Sequence, residues 1–414
     1  MNRAVFSFSA VIRCAATVLL AAGCLGSAQA EIGVEKSVIR IGGVLDLEGR
    51  SQGLGRGMTA GIKAALRDVQ VRGKRIEYVT LNDSYTPHLT ERATRKLLNQ
   101  GVFLMVGNVG TPTAKVSLPI LADEGVPAVG FFTGAGILRP GVGDVVNFRA
   151  SYVQETAAVI EAALRSGLSP ENICAYVQND AYGMAGVEGV RRALSKYPDI
   201  DEVLAGLETL SNIQGENPAR NNIGPVGVYT RNTFVSRDGY RSLKNWEQQR
   251  GSECRLVIGV GTYNAIARFA GYARAKGEQW IVSAVSFTGA DNLRGAVAEY
   301  GVKDRVVMTQ VVPLLDSDLP IVREARQSLG EQYGYVSLEG YIVGKMLVAI
   351  LDRVKGDLTR ANFLRAAYGS NFELGGLTLD FRQDNQGSDE VFLTYLDGDT
   401  YKPLTDEVWQ RWVN

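Results

Sequence analysis

Histidine and cysteine are scarce in this sequence, and their scarcity excludes several kinds of active site. His88 is the only histidine among 414 residues, so a catalytic triad would have to use it, and a multi-histidine zinc or iron site is excluded. It follows Thr86-Pro87 at a predicted helix start, which favours a solvent-facing position over a catalytic one. None of the four cysteines belongs to a C-x-x-C pair. We therefore predict that the protein has no metal site.

A net charge and the common nucleotide-binding loops are also missing. The 44 Lys+Arg residues balance the 44 Asp+Glu residues, so there is no basic excess for binding nucleic acid or an anionic membrane. Gly53 and Gly55 precede a predicted helix, but Met58 stands where the third glycine of G-x-G-x-x-G is needed. Neither a Walker phosphate loop nor a G-x-S-x-G elbow occurs. These absences predict a protein that has no cofactor and is not an enzyme.

A short apolar stretch lies near the start of the chain. Residues 1–30 contain two arginines and no acid, then a short apolar stretch, then an A-x-A sequence that ends at Ala30. This arrangement is typical of a secretory signal peptide, which predicts cleavage after Ala30 and export to the periplasm. The alternative is a lipoprotein anchored through Cys24, which follows Ala-Ala-Gly.

Two cysteines, Cys174 and Cys254, remain after that cleavage. Both lie at predicted strands in the same half of the chain, and an exported protein can form disulfides. However, neighbouring strands seldom meet disulfide geometry, and small buried thiols are common in protein cores. We expect two buried thiols and keep the disulfide as the alternative.

Short β-rich runs alternate along the chain with stretches whose apolar residues recur at helical spacing. Residues 39–44 form a predicted strand, for example, and Met58, Ile62 and Leu66 form a helical stripe after it. A second, similar series begins after residues 147–150. An alternating βαβ series predicts a parallel, doubly wound α/β sheet, and two such series predict two lobes.

Hydroxyl and aromatic side chains follow several predicted strands at their carboxyl ends, where open α/β sheets bind ligands. These strand ends are residues 107–113, 131–136, 179–183, 261–263 and 286–289. Thr111 and Thr113 also stand at a helix start, where free backbone N–H groups favour an anion such as a carboxylate. Helix capping alone would explain Thr111, but the same chemistry at five strand ends favours a ligand pocket.

Six short motifs follow one another in a recognisable order along residues 37–400. They are Val38-Ile39-Arg40-Ile41-Gly42, Leu47-Glu48-Gly49, Val106-Gly107, Gly125-Val126-Pro127, Asp180-Ala181-Tyr182-Gly183 and Leu338-Glu339-Gly340-Tyr341. In this order and spacing the sequence resembles the type I periplasmic solute-binding proteins, in the leucine/isoleucine/valine-binding branch.

The resemblance implies a fold of two doubly wound parallel-sheet lobes joined by three hinge strands. Carried over to this chain, the crossings between lobes fall near residues 149–151, 312–314 and 377–384. The implied lobes are residues 31–150 plus 314–376 for the first, and residues 151–313 plus 377–414 for the second. Proteins of this family bind a small solute between the lobes, close on it, and present it to an ABC permease in the inner membrane.

The resemblance also implies which residues contact the ligand. Thr111 matches the hydroxyl that holds a ligand carboxylate, Thr133 and Gly134 match the next strand end, and Tyr182 matches the aromatic residue that closes from the second lobe. The full predicted set, which includes neighbours at the same strand ends, is Thr111, Thr113, Phe132, Thr133, Gly134, Tyr152, Tyr182, Thr262, Tyr263, Ser286 and Phe287.

The sequence departs from the amino-acid binders of this family after the strand at residues 280–285. Those proteins place an acid there to pair the ligand's ammonium group, whereas this chain has Ser286. A buried ammonium without a counter-charge is costly. The aromatic residues at the strand ends instead favour an apolar or aromatic ligand with a carboxylate or carbonyl group. For a ligand with an ammonium, Asp83 and Asp291 are the next acids to consider.

Taken together, the sequence predicts a monomeric, non-enzymatic protein that binds a small organic solute and delivers it to an ABC importer. A ligand-sensing subunit for a membrane receptor would bind its ligand in the same way and is one alternative. A branched-chain amino acid binder is the other alternative.

Overall fold

The computed structural model describes residues 31–215 and 217–413. The predicted signal peptide, with Cys24 and the cleavage site at Ala30, lies outside the described residues. Among the described helices, none is both long and apolar enough to span a membrane. His88 is exposed in the first turn of a helix, which confirms the predicted solvent-facing position.

The first part of the chain forms a six-stranded sheet with three helices. The strands are β1 (Val38–Leu45), β2 (Gln70–Val71), β3 (Lys74–Asn82), β4 (Met105–Val106), β5 (Ala128–Val129) and β6 (Val145–Val146). The helices are α1 (Gln52–Leu66), α2 (Pro87–Asn99) and α3 (Thr111–Asp123). The strand order is β2-β3-β1-β4-β5-β6, and only β2 runs antiparallel to its neighbour. Strand β1 is buried on both faces, as expected where helices cover both sides of a parallel sheet.

The middle of the chain forms the second sheet and its helices. The helices are α4 (Tyr152–Arg165), α5 (Ala181–Leu194), α6 (Asp201–Asn212), α7 (Arg237–Arg250), α8 (Tyr263–Ala275) and α9 (Ala290–Ala298). The strands are β7 (Ile173–Gln178), β8 (Val226–Tyr229), β9 (Leu256–Val260), β10 (Ile281–Ala284) and β11 (Val306–Gln310). All five strands are parallel, in the order β11-β10-β9-β7-β8.

The last part of the chain adds elements to both lobes. Its helices are α10 (Pro320–Leu329), α11 (Tyr335–Arg353), α12 (Arg360–Ala367) and α13 (Asp406–Val413), and its strands are β12 (Asn371–Leu374), β13 (Leu377–Asp380), β14 (Phe392–Asp397) and β15 (Thr400–Pro403). Strand β14 extends the second sheet antiparallel to β11, and β15 pairs antiparallel with β14, while β12 and β13 pair only with each other.

Helix α11 packs against α1 and so completes the first lobe. Glycines allow the close approach: a Cβ on Gly61 would lie 2.1 Å from the carbonyl oxygen of Ser337, and a Cβ on Gly340 would lie 2.5 Å from that of Met58. Any larger side chain at these two positions would force the helices apart. The first lobe is therefore built from two parts of the chain that are distant in sequence.

The predicted fold class is confirmed, because two doubly wound α/β lobes are present. Near the predicted crossings, Asn147 forms a parallel bridge with Gln386, and its backbone N–H donates to the carbonyl of Asn385 at 2.8 Å. The chain just before the first predicted crossing thus lies beside the chain just after the third. The residue limits of the two lobes and of the hinges remain predictions.

Cys174 and Cys254 form a disulfide, so the expectation of two free thiols is wrong. Cys174 lies in β7 opposite Val257 of the adjacent β9, whereas Cys254 lies in the loop that leads into β9. The two Cα atoms are 5.7 Å apart, a distance that a disulfide spans without strain. The geometry that neighbouring strands seldom meet does not apply here, because Cys254 lies in a loop and only Cys174 lies in a strand.

Candidate functional site

A chain of hydroxyl groups connects two strand ends of the first lobe to the start of the second. The Thr111 and Thr133 hydroxyls are hydrogen-bonded at 2.7 Å, and the Thr133 hydroxyl is hydrogen-bonded to that of Tyr152 at 3.1 Å. All three side chains are fully buried. Burial raises the pKa of Tyr152 to about 12, which keeps its hydroxyl protonated and able to donate. The three hydroxyls form a polar strip that can hold an oxygen-bearing ligand group.

Aromatic rings from both lobes meet beside these hydroxyls. Phe287, in the turn after β10, has its ring centroid 5.2 Å from Phe132 and 4.7 Å from Tyr182. Tyr182 also lies 5.2 Å from Tyr152, and Tyr85 lies 6.1 Å from Phe287. We call these five residues, Tyr85, Phe132, Tyr152, Tyr182 and Phe287, the aromatic cluster. All five are buried, and the rings contact each other directly.

Gly134 lets Tyr152 approach the first lobe. The Tyr152 backbone N–H donates to the Gly134 carbonyl at 2.8 Å. A Cβ on Gly134 would lie 2.8 Å from both the Cδ1 atom and the backbone nitrogen of Tyr152. A side chain at position 134 would therefore displace the Tyr152 ring from the aromatic cluster.

A carboxylate reaches Ser286, although it does not come from the strand end. Glu155, in the first turns of α4, accepts hydrogen bonds from the Ser286 backbone N–H at 2.7 Å and from the Ser286 hydroxyl at 3.0 Å. The Thr309 hydroxyl also donates to Glu155. Three donors thus hold this carboxylate, and together they fix the turn that carries Phe287.

Arg149 lies between Glu155 and a second buried acid, Glu339 of α11. Its guanidinium nitrogens are 3.5 Å from a Glu155 oxygen and 3.6 Å from a Glu339 oxygen, and its Cζ lies 4.8 Å from the Phe132 ring centroid. We call Arg149, Glu155 and Glu339 the charge cluster.

For both Arg149 and Glu339, burial and the attraction of the opposite charge have opposite effects on the pKa. Burial alone would lower the pKa of Arg149, but the two nearby carboxylates outweigh it, so this pKa lies above its ordinary value. Burial raises the pKa of Glu339 to about 7, and the attraction of Arg149 offsets only part of that effect.

The remaining predicted residues lie at the edges of this region. The Thr113 hydroxyl donates to the carbonyls of Val109 and Gly110 and so stabilises the start of α3. The Thr262 backbone N–H donates to the Tyr229 hydroxyl at 3.0 Å. Tyr263 is partly exposed, and its hydroxyl donates to the carbonyl of Arg50 in the other lobe at 3.2 Å. The aromatic cluster contains none of these three side chains.

Sequence reasoning missed Tyr85, Arg149, Glu155 and Glu339. Tyr85 follows β3, so the rule that ligands bind at strand ends would have found it. No sequence signal marks the other three, because the direction in which a side chain points depends on how the lobes pack. Asp83 and Asp291, the other acids considered for an ammonium, are hydrogen-bonded to neighbouring protein groups. Asp83 accepts from the Thr90 hydroxyl and the Tyr85 backbone N–H, and Asp291 accepts from the Tyr335 backbone N–H at 2.8 Å.

The two lobes touch across the cleft. The Gln178 side-chain amide of the second lobe donates to the Tyr85 hydroxyl of the first at 3.2 Å, and the Tyr229 hydroxyl donates to the Gln178 oxygen at 3.2 Å. The Asn264 side chain donates to the Arg50 carbonyl at 2.9 Å. These contacts define a closed arrangement of the lobes. Among the residues that the structure describes, no group of three or more His, Cys, Asp or Glu could hold a metal ion.

Comparisons with known proteins agree with this geometry. Residues 38–206 match a family model described as periplasmic binding protein. The structure of a possible leucine/isoleucine/valine-binding protein from Rhodopirellula baltica SH 1 is 33% identical, covers 90% of this chain and 97% of its own, and has a TM-score of 0.79. None of the curated proteins matches the sequence.

Two more distant structures share the fold. A branched chain amino acid ABC transporter protein from Thermus thermophilus with bound valine is 16% identical, with coverage of 91% and 99% and a TM-score of 0.72. A solute-binding protein of an ABC transporter from R. palustris, in complex with 4-hydroxybenzoate, is 13% identical, with coverage of 89% and 98% and a TM-score of 0.68.

The two-lobed α/β fold, with buried polar and aromatic groups between the lobes, is that of a periplasmic solute-binding protein. The chain belongs to the type I periplasmic binding protein family, of the leucine/isoleucine/valine-binding kind. Members of this family bind solutes and are not enzymes.

Proposed function

We propose that this protein captures an aromatic or apolar solute with a carboxylate or carbonyl group between its lobes and delivers it to an ABC permease. The aromatic cluster carries this proposal, because both lobes contribute rings to it at the carboxyl ends of their strands. Aromatic side chains with a few placed polar groups are typical linings of small-molecule sites.

The polar strip of Thr111, Thr133 and Tyr152 supplies the hydrogen bonds to the ligand in this proposal. Thr111 is the first residue of α3, so a ligand oxygen beside it also faces the free N–H groups of that helix. The hydroxyls of Thr133 and Tyr152 lie in line with it and can rotate to donate. A carboxylate or carbonyl oxygen is the group that fits such donors.

The charge cluster supports a solute without an ammonium group. Arg149 lies beside the Glu155 carboxylate, and three hydrogen bonds already occupy it. Glu339 has a pKa of about 7, so it is partly protonated at neutral pH. A ligand ammonium therefore has no free, fully ionised partner in the charge cluster.

Entry of the solute requires the lobes to separate. Phe287 of the second lobe contacts Phe132 and Tyr85 of the first, so a solute must part these rings before it can occupy the cluster. Ligand binding then shifts the equilibrium toward the closed state by the difference in affinity for the two states.

Export to the periplasm fits the disulfide, which persists in oxidising compartments. In this proposal the signal peptide is removed after Ala30, and the mature monomer diffuses to its permease. A ligand-sensing role would use the same capture step with a receptor as partner. A pull-down with candidate permease and receptor subunits distinguishes these two roles.

A branched-chain amino acid is the second candidate ligand. Two observations favour it: the buried acids Glu155, which contacts Ser286, and Glu339, which lies beside Arg149, and the name of the Rhodopirellula baltica relative. If Glu339 stays ionised when a ligand is bound, it could pair with an ammonium group.

A matched pair of ligands tests the proposal. L-Phenylalanine and 3-phenylpropanoate share the ring and the carboxylate and differ in the ammonium group. We expect 3-phenylpropanoate to raise the melting temperature more, since ligand stabilisation grows with the ratio of concentration to Kd. L-Leucine and benzamide complete the set, and native mass spectrometry of the purified protein identifies any solute already bound. Tighter binding of L-phenylalanine or L-leucine would overturn the proposed class and favour the amino-acid candidate.

A further inference from the structure

A cavity lies at the outer edge of the cleft, separate from the aromatic cluster. Its volume is about 590 Å³, and residues of both lobes line it, with Pro112 and Lys115 on one side and Asp180 and Arg231 on the other. This volume lies within the range of roughly 300–1,000 Å³ that is usual for small-molecule sites. We call this space the mouth cavity.

Positive charge dominates the described lining of the mouth cavity. Lys115 comes from the first lobe, and Arg220 and Arg231 come from the second, whereas Asp180 is the only acid among the described lining residues. Arg231 pairs with Asp180 at 2.8 Å. One acid thus faces three cations among the described lining residues, so the described lining carries an excess of positive charge.

Arg220 is held in a fixed position. It is 6% exposed, its Nη1 donates to the Asn179 side chain at 2.9 Å, and its Nε donates to the Leu210 carbonyl at 3.0 Å. These partners are neutral, so they position the guanidinium, and the nearby Asp180 carboxylate is the lining acid that acts on its charge. Lys115, by contrast, is exposed on α3 and can move toward a bound group.

Three helices also begin at this cavity. Pro87 is the first residue of α2, Ala181 is the first of α5, and Pro112 is the second of α3. The positive ends of these helix dipoles add to the field of the three cations.

Residues that line the mouth cavity are direct neighbours of residues in or beside the aromatic cluster. Tyr85 belongs to the aromatic cluster, and Gln178, which is hydrogen-bonded to it, directly precedes Asn179 and Asp180 of the cavity lining. Asn232, another lining residue, approaches the Tyr85 carbonyl at 3.5 Å. A solute in the aromatic cluster can therefore extend into the mouth cavity if the Tyr85–Gln178 contact opens.

We infer that the mouth cavity binds an oxyanion group, a carboxylate or a phosphate, between Lys115 of the first lobe and Arg220 and Arg231 of the second. Such a group attracts cations of both lobes and so favours closure. The inference rests on the proposed function, because it assumes that the lobes close on a solute. The oxyanion is either the far end of that solute or a free anion, and the experiment separates the two sources.

The test uses Lys115→Gln, with Lys63→Gln as the matched control. Lys63 is an exposed lysine on α1 of the same lobe and does not line the cavity. The probes, titrated by calorimetry at constant ionic strength, are 3-phenylpropanoate, 3-(4-carboxyphenyl)propanoate and inorganic phosphate. The first two differ by one carboxylate at the far end of the ring.

If the solute supplies the oxyanion, the diacid binds the wild type more tightly than the monoacid, and Lys115→Gln weakens the diacid about 5- to 10-fold while leaving the monoacid unchanged. If a free anion fills the cavity, phosphate binds the wild type in the absence of any solute, and Lys115→Gln weakens phosphate binding by a similar factor. In both cases Lys63→Gln has no effect. Either result supports the inference.

The inference is overturned if Lys115→Gln leaves the affinities of the diacid and of phosphate unchanged, or if neither binds. Binding of the monoacid to both proteins would then leave the proposed function intact. Conversely, Lys115-dependent binding of phosphate without binding of either aromatic acid would support the mouth site and count against the proposed solute class.

Discussion

Glu155 holds the turn at Ser286 through two hydrogen bonds, one from the backbone N–H at 2.7 Å and one from the hydroxyl at 3.0 Å. Phe287 follows directly, so a helix at the start of the second lobe positions the ring at the centre of the aromatic cluster. The same carboxylate lies 3.5 Å from Arg149, which precedes α4. Glu155 therefore connects the predicted hinge to the proposed solute site.

Glu155→Gln should destabilise the protein by about 2–4 kcal/mol. A glutamine side chain keeps only one acceptor oxygen, so it leaves donors of Ser286 or Thr309 unpaired and removes one of the two counter-charges of Arg149. Urea denaturation followed by circular dichroism measures the loss. Glu161→Gln on the same helix is the control, because Glu161 makes only a surface pair with Lys196, and it should change stability by less than about 1 kcal/mol. Equal midpoints for the two variants would contradict the structural role of Glu155.

Two neighbouring threonines should behave differently in binding. Thr111→Val removes a hydroxyl of the polar strip, and the loss of one hydrogen bond to a buried ligand oxygen should weaken binding by about 1–3 kcal/mol. Thr113→Val removes hydrogen bonds only to backbone carbonyls at the start of α3, so it should lower stability and leave affinity nearly unchanged. Calorimetry with 3-phenylpropanoate measures both variants. The same loss of affinity in both would show that Thr111 has no direct contact with the ligand.

The stability of the protein should depend on the ionisation of Glu339. Its pKa of about 7 in the folded state lies above the ordinary value of 4.5, so between these pH values the folded protein holds a proton that the unfolded chain releases. Stability from this group is therefore complete below pH 4.5 and is lost as the pH rises to 7. Glu339→Gln removes this dependence, so between pH 5 and pH 8 the stability of the variant should fall less than that of the wild type.

Urea denaturation of both proteins from pH 5 to pH 8 measures this difference. Asp83, whose pKa burial raises to about 6, contributes equally to both proteins and cancels. Parallel pH profiles for the two proteins would contradict the perturbed pKa of Glu339.

Loss of the disulfide should cost about 2–5 kcal/mol. Cys174 and Cys254 are 80 residues apart in sequence, and a cross-link that closes a loop of this length strongly restricts the unfolded chain. We expect the double variant Cys174→Ala/Cys254→Ala to unfold at lower urea concentration than the oxidised wild type. Reduced wild type serves as the comparison and should resemble the variant. A variant as stable as the oxidised protein would mean that the disulfide contributes nothing.

The fold could be predicted because the sequence patterns that indicate strands and helices are local. The alternation of β-rich runs with helical stripes predicted both doubly wound lobes, and the strand-end rule predicted that Thr111, Thr133, Tyr182 and Phe287 lie near a common cleft. Parallel strands bring their carboxyl ends to one edge of a sheet, whatever the details of packing.

The charge cluster could not be predicted, because it depends on contacts between distant segments. Glu155 looks like an ordinary acid in the first turns of a helix, and Glu339 looks like an acid on a mostly apolar helix. Only the packing of α4 and α11 around Arg149 makes them partners. For the same reason, the sequence around Ser286 gave no indication that a carboxylate from α4 would contact this strand end.

The contact between α1 and α11 also bears on the order in which the protein folds. Helix α1 ends at Leu66, whereas α11 begins at Tyr335, after the five parallel strands of the second sheet have been synthesised. Until then, the glycine-lined face of α1 has nothing to pack against, and the first lobe cannot complete its core. Contacts between such distant segments also form slowly. A ribosome-bound or truncated chain that lacks α11 should therefore remain sensitive to protease in its N-terminal third, and should acquire resistance only when the last third is present.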